Sequence, residues 1–389
     1  MRIYLDYNAG APLRPEAVAA VERAMRETGG NPSSVHRAGQ RARRALERAR
    51  AQVASLVGAS PREIVFTSGG TESNNLAIAG VAKLAGHRRR IITSEIEHSS
   101  IRAPVAELES RGFEIIRIMP DSDGRIWPAN VIGALNGDTA LVTLGLVNSE
   151  VGAIQDLAPI AAHTSRVGAV FHVDAAQAAG RIPLGVAALG CDLMTLSGHK
   201  LGAPAGVGAL WVRSEMQIAP LLMGGPQEGG LRAGTQNLLG AVAFGAAAEA
   251  ALAAMAHERA RVESLADSLL ARLTAAIAGL VLNGPLRGRI RSTLNLTFPG
   301  VLGESMLIAL DLEGVEVSMG SACAAGAVEP SHVLLAMGRS RADARSSLRI
   351  SLGWNTTAAE IEAAAEIIPR VWRRVGVAEP VTAPAELPR

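Results

Sequence analysis

Short apolar runs recur along the first two thirds of the chain, each closed by a glycine- or serine-bearing turn and followed by a longer segment with helical spacing. Runs of four to seven apolar residues rich in Val and Ile read as buried strands. The candidates are 64–67, 91–94, 114–118, 140–146, 170–173, 192–196 and 207–212. Helical segments separate most of them, and a strand–helix–strand alternation predicts a largely parallel, doubly wound sheet. Ahead of this alternation, Pro15 to Thr28 has helical spacing, with Val18, Val21 and Met25 on one side. The glycine-containing stretch 29–34 is a turn, and a basic helix is expected from Arg37 to Leu56.

Beyond residue 236 the texture changes. Residues 224–234 are a glycine-rich loop, 237–279 read as long helices, and short strands at 292–298, 315–318 and 347–352 then alternate with helices. That pattern predicts a second, smaller α+β unit, so the expected division is a large domain over 15–255 and a small one from 1–14 with 256–389. The small domain would carry a mobile loop at about 318–330. The tail from Glu379 holds three prolines and reads as mobile.

Composition narrows the chemistry. Aromatics are only 3% of a chain that is 48% apolar, so the core must be built from Ala, Val, Leu and Ile. A formal net charge of +2 gives no global field for nucleic acid or an anionic membrane. Arg41, Arg43, Arg44, Arg48 and Arg50 interleave with alanines rather than aromatics, the pattern of a solvated helix face. Two cysteines, Cys191 and Cys323, are too few for a disulfide framework and suit a reducing cytosol. Neither sits in a Cys-x-x-Cys and no His-Glu-x-x-His occurs, so no protein-bound metal is expected. The start of the chain has no apolar core of signal-peptide length, and the Ala-rich stretch 238–255 reads as a buried helix rather than a span. The expectation is a soluble, cytoplasmic protein.

The candidate chemistry gathers at the carboxyl ends of the predicted strands, where open α/β sheets hold ligands. Strand 192–196 runs into Ser197-Gly198-His199-Lys200, and a lysine among apolar neighbours can lose its proton and attack a carbonyl carbon. Strand 64–67 runs into Ser68-Gly69-Gly70-Thr71-Glu72-Ser73, a glycine turn opening a helix, with Thr71 or Ser73 as its N-cap. Such a turn cradles phosphate with bare N–H groups, and it fits neither a Walker loop nor Gly-x-Gly-x-x-Gly. Strand 170–173 ends on Asp174, and strand 91–94 is followed by Glu97-His98. Singly, each string also fits an ordinary turn, cap or surface residue. Together they supply a phosphate anchor, a carboxylate for a ring nitrogen, a stacking imidazole and a Schiff-base lysine, the set that pyridoxal phosphate needs.

The chain resembles the cysteine desulfurases of the NifS/IscS kind, within the class V group of fold-type I pyridoxal-phosphate enzymes. The likeness runs from about Ile3 to about Asn355. It rests on Tyr4-Leu5-Asp6-Tyr7-Asn8, Gly30-Asn31-Pro32-Ser33-Ser34, residues 67–75, Glu97-His98, His172-Val173-Asp174, residues 197–200, Arg232-Ala233-Gly234-Thr235 and Ser321-Ala322-Cys323 followed by residues 329–334. The resemblance implies the fold-type I architecture: a large domain with a mostly parallel seven-stranded sheet and a smaller α+β C-terminal domain. It also implies removal of sulfur from L-cysteine, giving L-alanine and a persulfide passed to an acceptor or scaffold protein, as in iron–sulfur cluster assembly.

Residue by residue, Lys200 would hold pyridoxal 5'-phosphate as a Schiff base, Asp174 would keep the ring nitrogen protonated, and Gln177 would bond the ring's phenolate oxygen. His98 would stack on the ring. Gly70, Thr71, Ser197 and His199 would bind the phosphate, with Thr235 reaching in from the second subunit of a homodimer. Arg349 would clamp the substrate carboxylate, with Asn148 beside it and Ser149 on the cofactor. Cys323 would be the thiolate that takes the sulfur, and it is also a candidate transient iron–sulfur ligand; Cys191 reads as structural. Three departures stand out: Ser149 replaces a second asparagine common in the family, Gly229 replaces the arginine usual after Glu228, and the tail is Pro-rich. A selenocysteine lyase or a class V aminotransferase is the alternative on the same scaffold. A weakly catalytic scaffold protein is the alternative of a different kind.

Overall fold

The computed structural model describes residues 2–319 and 329–378. Cys323, expected from the sequence to be the sulfur-accepting thiolate, and the tail from Glu379 therefore lie outside the described residues, and with them most of the expected mobile loop.

All seven sheet strands expected in the first two thirds are present within a residue or two: β2 (Ile64–Thr67), β3 (Arg90–Ser94), β4 (Glu114–Ile118), β5 (Thr139–Gly145), β6 (Val170–Asp174), β7 (Leu193–Ser197) and β8 (Gly208–Val212). Ahead of them β1 (Ile3–Tyr4) stands apart, pairing with a strand far along the chain. The seven form one sheet in the order β2-β8-β7-β6-β5-β3-β4. Only β8 runs against its neighbours, because a short connection returns it directly beside β7, whereas parallel neighbours need a helical crossover.

Alternation along the strands sorts the two faces. Ile64, Phe66, Val142, Leu144, Phe171, Val173, Met194 and Leu196 pack with Ala243, Phe244 and Ala247 of the long helix Leu238–Ala276. Val65, Leu141, Leu193 and Leu210 face the other way, onto Leu76 and Ile78 of α3 (Gly70–Leu84) and Ile101 of α4 (Ser99–Ser110). Preceding these are α1 (Pro15–Glu27) and α2 (Arg37–Leu56). The long helix passes the length and apolarity test for a membrane span, but half of that stretch is buried inside the fold. Its alanines let α1 and α2 approach closely, which is how a chain so poor in aromatics closes its core.

A second core lies at the other end of that helix. Val262, Ala266, Leu269 and Leu273 pack with β10 (Thr293–Thr297), β12 (Ser347–Ser351) and the helix Ala358–Ala378. β10 is flanked antiparallel by β12 and by β9 (Val281–Asn283), a three-residue strand too short to stand out in the sequence. Ile3 and Leu5 join this second core, and β1 pairs in parallel with β11 (Val315–Glu316). The N-terminal segment thus leaves the C-terminal core and enters the cleft above the large sheet.

One part of α2 departs from expectation. Arg41, Arg43, Arg44 and Arg48 are solvated, but Arg50 is buried. It grips Glu228 in a two-pronged ion pair at 2.6 and 2.8 Å, and Glu228 also accepts the Phe66 N–H at 2.8 Å. Glu228 is held at φ +50°, a left-handed conformation uncommon for a residue with a side chain. This clamp fastens the loop that carries Arg232 and Thr235 to β2, whose end forms the glycine turn. Removing one partner leaves the other charge buried alone, so Glu228→Ala is expected to cost about 3–5 kcal/mol in denaturant unfolding. A loss below 1 kcal/mol would show the loop is held by other contacts.

Candidate active site

A cavity of about 390 Å³ opens at the carboxyl ends of β7, β6, β5 and β3. Its lining brings together His98, Asn148, Ser149, Asp174, Gln177, Ser197, His199 and Lys200 with the turn from Ser68 to Glu72. A larger hollow of about 710 Å³ between α1, α2 and the long helix is lined by alanines and arginines and holds none of these groups. Arg349 and Thr235 are not among the lining residues. Arg349 is buried beside the cavity, bound to Asp6 at 2.7 Å and donating to the Ser149 carbonyl at 3.2 Å. Its Nε is buried with no partner. Thr235 is exposed on the glycine-rich loop, away from this chain's own cavity.

At one end of the cavity lies the glycine turn. The N-cap of α3 is Gly69, so Thr71 and Ser73 lie inside the first turn and do not cap it as the sequence suggested. Ser73 instead pairs with the Thr67 hydroxyl at 2.8 Å. The first N–H groups of α3, from Gly70 and Thr71, have no carbonyl one turn back to bond. Behind the turn, β8 passes so close that a Cβ on Gly208 would lie 2.6 Å from the Gly69 backbone. Glu72 accepts the Ser68 N–H at 2.7 Å and the Arg232 Nε–H at 3.0 Å. Burial alone would raise Glu72, but these bonds hold it below the ordinary carboxylate range. Across from Gly70, the Ser197 hydroxyl lies 3.1 Å from His199 Nδ1. Burial, with Lys200 and His98 nearby, pushes His199 down to about 4, so its imidazole is neutral at pH 7.

Asp174 lines the cavity from the end of β6. Its Oδ1 accepts the Ala176 N–H at 2.9 Å, and its Oδ2 accepts from Asn74 Nδ2 at 2.7 Å. Asn74 also donates to Ser100 at 2.8 Å, and its own Oδ1 is buried without a partner. Ser100 in turn donates its N–H to His98 Nδ1. Since Nδ1 accepts that bond, the neutral ring carries its proton on Nε2. Below Asp174 on the same face, His172 is buried between Thr143 and Thr195 at 2.8 and 3.0 Å, and burial takes it down to about 4. The sequence reading gave Asn74 and Ser100 no role of their own, because their side chains meet Asp174 and His98 only once α3 and α4 lie over the sheet.

Lys200 Nζ donates to the carbonyls of Asn8 and Ala9 at 2.6 and 2.9 Å. Burial first, then the charges of Arg181 and Arg349, bring it down to about 8, against the opposite pull of Asp6 and Asp174. An amine so placed is partly unprotonated near neutral pH, as a nucleophile or proton carrier requires. Gln177 donates to the Asn8 carbonyl at 2.9 Å, and its Oε1 is buried without a partner. Asn148 turns its side chain to its own loop, accepting the N–H groups of Glu150 and Val151 and donating to the Ile96 carbonyl. Ser149 contributes its carbonyl to Asn8 and Arg349. Among the described residues no group of three or more His, Cys, Asp or Glu is placed to hold a metal ion.

Glu97, beside His98, is fully buried. Ser94 donates to it at 2.5 Å and the Gly145 N–H at 2.9 Å. Burial and the nearby Asp174 charge still push it up to about 8, so it is neutral at pH 7. The folded chain therefore binds a proton that the unfolded chain releases near 4.5. Its contribution is fully present below about 4.5 and is lost as pH rises to about 8. Between pH 5.5 and 8, Glu97→Gln is expected to lose less thermal stability than the parent chain. Equal losses in both would remove Glu97 from this role.

Residues 3–364 match the family model for class V aminotransferases, and the chain belongs to that family. A cysteine desulfurase IscS of Dictyoglomus turgidum is 41% identical, over 97% of this chain and 96% of its own length. Among solved structures, a NifS-like protein superposes with a TM-score of 0.90 at 33% identity, covering 96% of this chain and all of the other. SspA, solved in complex with cysteine, superposes at 0.81 with 32% identity over 91% of this chain and all of its own. Within its family, then, the chain is a member of the cysteine desulfurases, enzymes dependent on pyridoxal phosphate.

Proposed function

We propose that this chain takes sulfur from L-cysteine, releases L-alanine and leaves a persulfide on Cys323 that passes to a sulfur-accepting protein. The observation that carries the reading is that Lys200 and Asp174, from adjacent parallel strands, line one cavity with the glycine turn and His98. The donor set fits pyridoxal 5'-phosphate. Lys200 would hold its aldehyde carbon. Gly70, Thr71, Ser197 and His199 would meet the phosphate, joined by Thr235 of a second copy in a homodimer. Asp174 would face the ring nitrogen, and the unpartnered oxygens of Gln177 and Asn74 mark polar groups available along the ring's edge. When bound, the cofactor supplies an electron sink for negative charge developing on the substrate's Cα.

The chain's own residues do the remaining work. Asp174, oriented by Asn74 and the Ala176 N–H, would turn its carboxyl group toward the ring nitrogen. Lys200, at about 8, can take a proton from the substrate's Cα and return one to the product. Arg349, with its idle Nε, suits the substrate carboxylate, and Asn148, which lines the cavity, would add a further polar contact to it. The Cys323 thiolate would attack the substrate sulfur: the Cβ–S bond breaks with its electron pair left on the carbon side, an S–S bond forms, and Cβ takes up the proton that makes the methyl group of alanine. No oxidant is needed. A reducing cytoplasm suits a free reactive thiol.

The test is visible absorption of the purified protein with pyridoxal phosphate, followed by alanine formation on adding cysteine. Alanine with a chemically detectable persulfide supports the reading. A keto acid formed from an amino donor, without alanine from cysteine, would instead make the chain a transaminase.

A further inference from the structure

Asn8 is 2% exposed, and each of its polar atoms has a partner. Its N–H donates to Ser351 Oγ of β12 at 3.0 Å. Its Nδ2 donates to Thr293 Oγ1 of β10 at 3.0 Å and to the Ser149 carbonyl at 2.9 Å. Its Oδ1 accepts from Arg181 at 2.5 Å. Its carbonyl accepts from both Lys200 and Gln177. One residue thus ties two strands of the C-terminal core to a lysine and a glutamine of the large sheet. The Ser149 carbonyl it holds is the one Arg349 reaches. Arg181, half-buried and also bonded to the Tyr7 carbonyl, puts a second positive charge near the amine beside that of Arg349.

We infer that Asn8 is a positioning residue for the reaction: its side chain fixes the carbonyl that registers Lys200 and Gln177, and it holds Arg181 at the distance that sets the charge around the Lys200 amine. The inference rests on the reading of Lys200 as the cofactor-bearing amine. Asparagine suits the position because it alone among residues of this size offers a donor toward Ser149 and Thr293 and an acceptor toward Arg181. The charged and titratable groups facing Lys200 are Arg181, Arg349, Asp6, Asp174, His98 and His199.

The chain offers an unusually clean probe, for its lysines are Lys83 and Lys200. Lys83 is exposed in the last turn of α3 and serves as an internal reference. Competitive acetylation of the full chain without cofactor, followed peptide by peptide across pH, reads the titration midpoint of Lys200 against that of Lys83. Asn8→Ala loosens the carbonyl that stabilises the ammonium and should lower the Lys200 midpoint. Asn8→Asp pairs Arg181 with a carboxylate and should raise it by about one pH unit. Opposite shifts with Lys83 unmoved establish the role, since a general loosening of the fold would move Lys200 one way in both. A Lys200 midpoint unchanged in both, or displaced in the same direction in both, overturns it. If Asn8→Ala does not fold, Asn8→Asp decides alone: no upward shift refutes the inference. Because this reads the amine directly, its failure is distinct from an absence of alanine formation by the parent enzyme, which would overturn the function instead.

Discussion

Lys200→Ala is expected to lower alanine formation from cysteine on the order of 10⁴-fold or more, the scale of losing a group that both holds the reacting centre and moves its protons. The purified variant should also lack the visible absorption of a lysine-bound cofactor. Its stability should hold or rise slightly, because burial opposes the charged amine and Arg181 and Arg349 add to that cost. Unfolding by denaturant separates the two effects: a folded, colourless, inactive protein is the expected result. Lys200→Arg would not rescue, for a guanidinium keeps its proton and cannot form the Schiff base. If Lys200→Ala formed alanine at even a hundredth of the parent rate, the lysine would not be the central group of this cavity.

Much of this site was legible because it lies where chain order and strand order coincide. Asp174, Ser197, His199 and Lys200 sit at strand ends, and a strand end is what short apolar runs mark best. The seven strands were readable for the same reason: each is a buried Val/Ile/Leu run closed by a turn. What escaped the sequence reading depends on contacts between distant segments. Asn74 and Ser100 gain their meaning from α3 and α4 crossing the sheet, and no local pattern distinguishes them from ordinary helix residues. Asn8 closes one of the short motifs that carry the family resemblance, yet its partners Thr293 and Ser351 lie 285 and 343 residues away. Arg50 read as part of a solvated stripe. Its position on the inward side of α2 meets Glu228, from a loop 178 residues on, and only that meeting makes it a buried clamp. β9 escaped because three residues cannot show a period.

Cys323→Ala is the substitution that separates a desulfurase from a transaminase on this scaffold. The loaded variant should keep the parent's visible absorption, since Lys200, Asp174 and the glycine turn are untouched. It should lose alanine formation from cysteine and the protein persulfide together, by about a thousandfold or more. No other thiol can replace it: the chain's second cysteine, Cys191, is fully buried, and burial pushes its thiol up to about 12. A thiol held so far above neutral pH, with no solvent access, is not a nucleophile. A small-molecule thiol added to the variant could take the sulfur instead only if it enters the cavity, so partial recovery in high dithiothreitol would be consistent with the assignment. Alanine formation at the parent rate without added thiol would not: sulfur would then leave the substrate without Cys323, and the persulfide route would fall while the cofactor site stood.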